Sequence, residues 1–509
     1  MNARKIVIYT AYPHFPRLET ELEIADKFIE QGDEVLLISC MGGLATCFNN
    51  RDHNKLKCLC CNSRLKAGYK WIGEDRVKLK KLFNITRNQQ ARINKILKKP
   101  LNNWDDLRSI QVDGDDVGEA AFSEVVSNLR ETNPNLNDEY STFAKKLLEN
   151  SLIVHFSILN HLLEEKPDIF ILFNGRIAAY RPALRIGVML GINTLVFEVH
   201  SNYNKYNLVE NTYPHDPIAS GKRIKKIFDE ATQYTETEKY EIASEWYFNR
   251  FNGVFANEVV YVDNQRKEDN LEIFKDIPGL KVGIFISSED EMYCIPEWKL
   301  PFYRDQNDAV AKISDSLSND NIIFIVRAHP NLSGLDNTQI KELKEICYSR
   351  NNIQYIPPDS RVNSYELIDI CDIILVFGSR IGIESVFKGK PTILMGRGVY
   401  RGFGGTIEPA SHEDLVRILR ESADQGHIPE HYVPDEQAMR HAATIYAFAS
   451  IKAGIDIEYQ KLTSHSNVSW IEKNGVRSYI KPHIILRGAE FLYRIISTPI
   501  RLISPEKTY

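Results

Sequence analysis

Residues Phe377 to Leu394 read FGSRIGIESVFKGKPTIL and lie between two apolar, strand-like runs. Gly378 lets the chain turn, and Ser379 is placed to cap the helix that follows. Amides at a helix N-terminus bind anions, helped by the helix dipole, so a phosphate fits there. Arg380 follows Ser379. Glu384 is far enough into the helix to reach a ribose hydroxyl; the plainer reading is a capping serine and a solvated glutamate. Beyond the next strand, GRGVYRGFGGT (396–406) holds five glycines in eleven residues and carries Tyr400 and Gly404. Such a backbone can approach a ligand closely, or it is simply a flexible loop.

Other strand ends carry similar chemistry. IVRAHPN places Arg327, His329 and Pro330 directly after an apolar run. A histidine there can donate to a phosphate or a nucleotide carbonyl, while proline stops the strand; a satisfied loop histidine is the alternative. FISSEDEM (285–292) places Ser288 and Glu289 after another run. Weak signals at successive strand ends of one sheet reinforce one another.

In the first half, Asn174 and Arg176 end one strand, and Glu198 and His200 end the next. Asn and Arg suit the hydroxyls and carboxylates of a ligand. A carboxylate that takes the proton from an attacking hydroxyl contributes roughly 10²–10⁴-fold. Glu198 is the favoured base, with His200 and His215 as rivals. Its competing role is an ion pair with Arg176 or Arg181. Tyr12, His14 and Arg17 lie in the first strand-to-helix loop and line the same cleft. Asp113-Gly114-Asp115 spells a D-x-D, a metal-diphosphate signature. It sits in an insertion away from any strand end and reads as a loop or cap, so no metal and no cofactor is expected.

These residues need sheets to hold them. KIVIYT (5–10), a helical stretch and EVLLIS (34–39) form a β-α-β opening without G-x-G-x-x-G. Residues 62–150 break the alternation and read as a mostly helical insertion. Within it, Arg76 to Lys99 holds nine basic residues and no acidic one. The alternation resumes through strands ending at Phe173 and near Glu198. A second doubly wound unit has strands at 280–287, 322–326, 353–356, 372–377 and 391–395. The expected domains are 1–265, including the insertion, then 280–435, then a closing helix and a basic amphipathic tail over 436–509. The fold class is α/β: two Rossmann-like doubly wound domains facing a cleft, the arrangement called GT-B. Open α/β sheets bind ligands beyond the carboxyl ends of their strands.

With 509 residues the chain needs more than one core. A net charge of −5 gives no overall signal for nucleic acid. No apolar run reaches the ~18 residues of a membrane span. MNARKIVIYTAYP reads as a first strand rather than a signal peptide. The expectation is a cytoplasmic protein, with the basic stretch 76–99 and the tail 479–505 able to rest on the inner membrane's anionic face. Cys40, Cys47, Cys58, Cys60 and Cys61 crowd one window, yet their spacing lacks paired C-x2-C knuckles. They read as loop or core thiols.

His-Pro, YELIDICDIILVFGSRIGIESVFKGKPTIL and GVYRGFGGT together resemble the capsule polysaccharide synthesis glycosyltransferases, a group that includes the Kdo transferases of capsule assembly. The resemblance covers 280–420 and extends loosely to 173–182, 196–202 and 213–216. It implies a GT-B enzyme whose H-P and G-S pairs contact a CMP-type donor. It also matches Glu198 to an acid of related transferases. One departure is GSR, where many members have a second hydroxyl instead of Arg380. The resulting expectation is a glycosyltransferase moving a sugar from a nucleotide donor to a glycan or lipid-linked acceptor in bacterial surface polysaccharide synthesis. Its rivals are a CDP-glycerol-type glycerophosphotransferase, a sugar-nucleotide 2-epimerase and a non-catalytic glycan-binding assembly protein.

Overall fold

The computed structural model describes residues 3–14, 16–73, 75–200, 205–254, 271, 274 and 276–456. Two compact units emerge. Unit 1 holds the residues up to Asn128, Asn135–Pro214 and the strand Ile455–Asp456; unit 2 holds Leu129–Pro134 and His215–Gly454.

Unit 1 is built on β1 (Lys5–Thr10), β2 (Glu34–Ser39), β3 (Val77–Lys81), β4 (Ile169–Phe173), β5 (Asn193–Val199) and β6 (Lys205–Glu210). Their order across the sheet is 6-5-4-1-2-3, with Ile455–Asp456 added at the β6 edge. The first five are parallel and β6 returns antiparallel. Ile6, Val7, Ile8 and Tyr9 are fully buried, as a parallel strand covered on both faces requires. The switch in strand order falls between β1 and β4, where ligands of such sheets bind.

Unit 2 has five parallel strands: β7 (Leu280–Phe285), β8 (Ile322–Arg327), β9 (Ile353–Ile356), β10 (Ile373–Val376) and β11 (Thr392–Leu394). Their order is 11-10-7-8-9, which repeats the arrangement of unit 1, and the switch lies between β7 and β10. Both units are therefore Rossmann-like, the pair of doubly wound domains expected of a GT-B chain.

Three details differ from the sequence expectation. The boundary placed at 265 moves back to His215. Helices Pro217–Glu230 and Glu236–Phe251 pack with Glu436–Ala453 in unit 2, where the Tyr247 hydroxyl donates to the Ala443 carbonyl at 3.0 Å. The closing helix is thus part of the second unit rather than of a third segment, and the tail 479–505 lies outside the described residues. The insertion is mostly helical and also holds an unexpected strand: Val77–Lys81 is an edge strand whose lysines blunt further pairing. Among the described residues, no helix is long and apolar enough to cross a membrane.

Candidate functional site

At the end of β4 the chain turns through two residues with positive φ, Asn174 (60°) and Gly175 (73°). Asn tolerates this region better than most residues. The turn aims the Asn174 amide at Glu198, and its Nδ2 donates to Oε2 at 2.6 Å. The other carboxylate oxygen accepts the Val199 amide at 3.0 Å. Burial pushes the Glu198 carboxyl above its ordinary value; the Asn174 bond and the charges of Arg17 and Arg176 oppose that shift. Arg17 lies 4.3 Å over the Phe173 ring. Glu198, Asn174, Arg176 and Arg17 therefore form one carboxylate-centred group at the ends of β4 and β5. His14 borders the same first loop, where its carbonyl accepts the Arg17 amide. The His200 amide donates to Lys205, which starts the β5–β6 return.

Tyr12 does not line this site. It is fully buried, with its hydroxyl on Glu124 at 3.4 Å and its amide on the Tyr180 hydroxyl. It braces the β1 loop from below. Burial pushes Glu124 up to about 7. The D-x-D is not a wholly solvated loop: Asp113 pairs with Arg92 at 2.7 Å, and Asp115 is buried against His155 Nδ1 at 2.7 Å. Among the described residues, no group of three or more His, Cys, Asp or Glu could hold a metal ion. None of the eight cysteines, all among the described residues, forms a disulfide, and burial pushes Cys47 up to about 12, so that thiol stays protonated at neutral pH.

In unit 2, His329 follows β8 and caps the short turn Pro330–Leu332. The Asn331 amide donates to its Nδ1 at 3.1 Å. Nδ1 is therefore the acceptor, and the neutral ring carries its proton on Nε2. Burial, then the charges of Arg327 and Arg130, lower its pKa to about 4, with Asp290 opposing. The imidazole is a neutral donor at physiological pH. After β10, Gly378 has φ 128°, and a side chain there would meet Trp298 at 2.9 Å. The Ser379 hydroxyl that follows is buried without a hydrogen-bond partner. Buried hydroxyls are rarely left so, which marks the position for a ligand.

Several expected contacts prove to be scaffold. Arg327 is buried, with its guanidinium on the carbonyls of Pro357 and Ser360, so it pins the loop after β9. Glu384 is buried and pairs with Arg250 at 2.7 Å, which ties its helix to Glu236–Phe251 instead of reaching a ribose. Tyr400 is buried, and its hydroxyl donates to the Ser379 carbonyl at 2.7 Å. Glu289 is engaged by the Gln306 amide at 2.7 Å, and burial pushes it up to about 7. Ser379 is not the helix cap; Arg380 holds that place without a side-chain cap bond, and it is exposed. His215 falls in unit 2, where its carbonyl accepts from Trp298 Nε1 at 2.6 Å. Gly404 keeps φ 85° with open space around it.

Sequence reasoning missed two features. A cavity of about 610 Å³ lies between helix Pro217–Glu230 and the loop after β11, rimmed by Lys222, Lys225, Lys226, Arg397 and Arg401 together with Asp229 and Glu230; Lys225 pairs with Asp229 at 2.6 Å and Arg401 with Glu408 at 3.1 Å. Its residue Gly398 packs against Gly378, so the cavity adjoins the end of β10. Only the glycine-rich loop hinted at it. Arg130, from the insertion, reaches the end of β7 by salt-bridging Asp290. No local signal in the sequence reveals that contact.

No family model matches the chain, and no curated sequence is significantly similar to it. Solved structures do match in shape. A β-Kdo 2,7 transferase, KpsC of Thermosulfurimonas dismutans, matches at 14% identity over 57% of this chain and 79% of that one, with a TM-score of 0.33. A glycosyltransferase from Rickettsia africae matches at 11% identity over 97% and 99%, TM-score 0.27. The UDP-GlcNAc 2-epimerase of Neisseria meningitidis, bound to UDP-GlcNAc, matches at 11% over 91% and 100%, TM-score 0.27.

Proposed function

We propose that the protein is a glycosyltransferase that moves a sugar from a nucleotide donor, CMP-linked by preference, to a glycan or lipid-linked glycan in surface polysaccharide synthesis. The observation that carries this reading is the buried, unpartnered Ser379 hydroxyl beside the β7–β10 switch point, next to a 610 Å³ cavity whose rim carries five cations against two carboxylates. That volume is in the ordinary range for a small-molecule site. A phosphate oxygen would satisfy the hydroxyl, and the rim lysines and arginines suit its charge.

In this reading unit 2 holds the donor. His329 donates from Nε2 to a donor oxygen without changing charge, and Pro330 fixes its loop. Ser288, Gly378, Arg380 and Gly404 border the ligand. Unit 1 holds the acceptor near His14, Asn174 and Arg176. Glu198 takes the proton from the acceptor hydroxyl, and its raised pKa makes it the stronger base; His200 is the rival for that role. Hydrogen bonds and cations stabilise the leaving phosphate. The reaction is placed in the cytoplasm, at or near the membrane's inner face.

The test is product analysis with CMP-, UDP- and GDP-linked sugars and surface glycan acceptors. A glycoside whose formation requires both partners supports transfer. A phosphodiester product, or an epimer formed from donor alone, contradicts it.

A further inference from the structure

The short segment Leu129–Pro134 follows a helix of the insertion yet belongs to unit 2. Arg130 adopts φ 54°, a conformation that an arginine keeps only where its surroundings fix it. The surroundings do so at both ends of the residue. Its carbonyl accepts from Asn337 Nδ2 at 2.8 Å, and the next residue, Glu131, accepts the Thr338 amide at 2.7 Å. The segment is thereby strapped to the start of helix Thr338–Tyr348.

The side chain runs to the end of β7. Its Nε and Nη2 donate to the Asp290 carboxylate, and Nη2 also donates to Ser288 Oγ at 3.0 Å. Ser288 in turn donates to Asp290 at 2.5 Å, which closes a triangle. Within the pair, Asp290 is 2% exposed and Arg130 is 23% exposed. The carboxylate is therefore buried, and the guanidinium that holds it is partly exposed. β7 is the central strand, with β8, which leads to His329, on one side and β10, which leads to Ser379, on the other. Neighbouring strands lie about 5 Å apart.

We propose that Arg130 is a positioning residue for the donor: it fixes the Ser288–Asp290 loop and turns a positive charge toward the phosphate of a nucleoside phosphate. This rests on the nucleotide reading given above. It adds that the insertion, although its bulk belongs to unit 1, supplies part of the phosphate site. Arginine suits the task because its planar fork can hold a carboxylate while its charge stays fixed.

The test is calorimetric titration of CMP, UDP and GDP, and of cytidine, uridine and guanosine, into wild type, R130A and R130K. Circular dichroism confirms folding, and R130Q replaces R130A if that variant does not fold. The expected result is a tenfold or greater loss of nucleotide affinity in R130A, unchanged affinity for the matching nucleoside, and partial rescue in R130K. Equal loss for nucleotide and nucleoside would show that Arg130 merely supports the fold, and no loss for either would remove it from the site; both overturn the inference. If wild type binds none of the nucleotides, the nucleotide reading itself fails and the inference falls with it.

Discussion

β5 of unit 1 ends in a carboxylate, Glu198, held by an asparagine amide and flanked by arginines. In unit 2 the ends of β8 and β10 carry a neutral imidazole at His329 and an unpartnered hydroxyl at Ser379. Yet the five parallel strands of each sheet follow one order. Topology fixes where a ligand can sit in each; the residues after each strand decide what can sit there. Unit 1 offers a proton acceptor. Unit 2 offers donors, with cations rimming its cavity. A transfer reaction needs one of each, a base for the incoming hydroxyl and donors for the leaving phosphate.

The largest expected effect comes from removing the base. Glu198→Gln should lower kcat by roughly 10²–10⁴-fold and leave nucleotide affinity untouched, because unit 2 is unchanged. Near wild-type turnover would end the assignment of unit 1 as the catalytic half. Next in size is the scaffold of unit 2. Arg250→Ala removes the cation that pairs with buried Glu384, and should cost about 3–5 kcal/mol in urea unfolding. A loss under about 1 kcal/mol would mean that the pair is solvated.

The two units also share a titration. Glu124 in unit 1 and Glu289 in unit 2 are both pushed up to about 7 by burial. Each folded carboxyl keeps its proton after its unfolded counterpart has lost it. Stability should therefore fall as pH rises from the ordinary glutamate range to about 7, by on the order of 3 kcal/mol per group. Glu124→Gln and Glu289→Gln should each flatten part of that slope. Denaturation midpoints between pH 4.5 and 7.5 would show it, and a slope unchanged in both variants would refute the cause. The smallest effect belongs to Ser379→Ala. Nucleotide affinity should weaken severalfold, at roughly 1 kcal/mol for one hydrogen bond, while Tm holds or rises because a buried unpaired hydroxyl is gone. Unaltered affinity would separate Ser379 from the ligand.

The sheets were largely legible from sequence because buried parallel strands are continuous apolar runs. KIVIYT, EVLLIS and IQYI match β1, β2 and β9 residue for residue. β3 was not, since VKLKK at a sheet edge buries only its valine. That Glu198, His329 and Ser379 stand at or just beyond strand ends was also readable. What sequence could not separate was ligand contact from brace. Arg327, Glu384 and Tyr400 stand beside the right loops, but their partners are Pro357, Arg250 and the Ser379 carbonyl. Two of those partners lie dozens of residues away or more, and only folding brings them together. Arg130 is the converse case, a useful side chain delivered from 160 residues away.

The most direct test of the account is a thermal-shift titration of wild type and His329→Ala with CMP, UDP and GDP. Binding to the folded state should raise stability by roughly 2.7 kcal/mol at a hundredfold excess over Kd. The account predicts a clear shift with at least one nucleotide, CMP by preference, lost or much reduced in the variant. No shift with any of the three, or one that survives the substitution intact, would contradict a nucleotide site at the strand ends of unit 2.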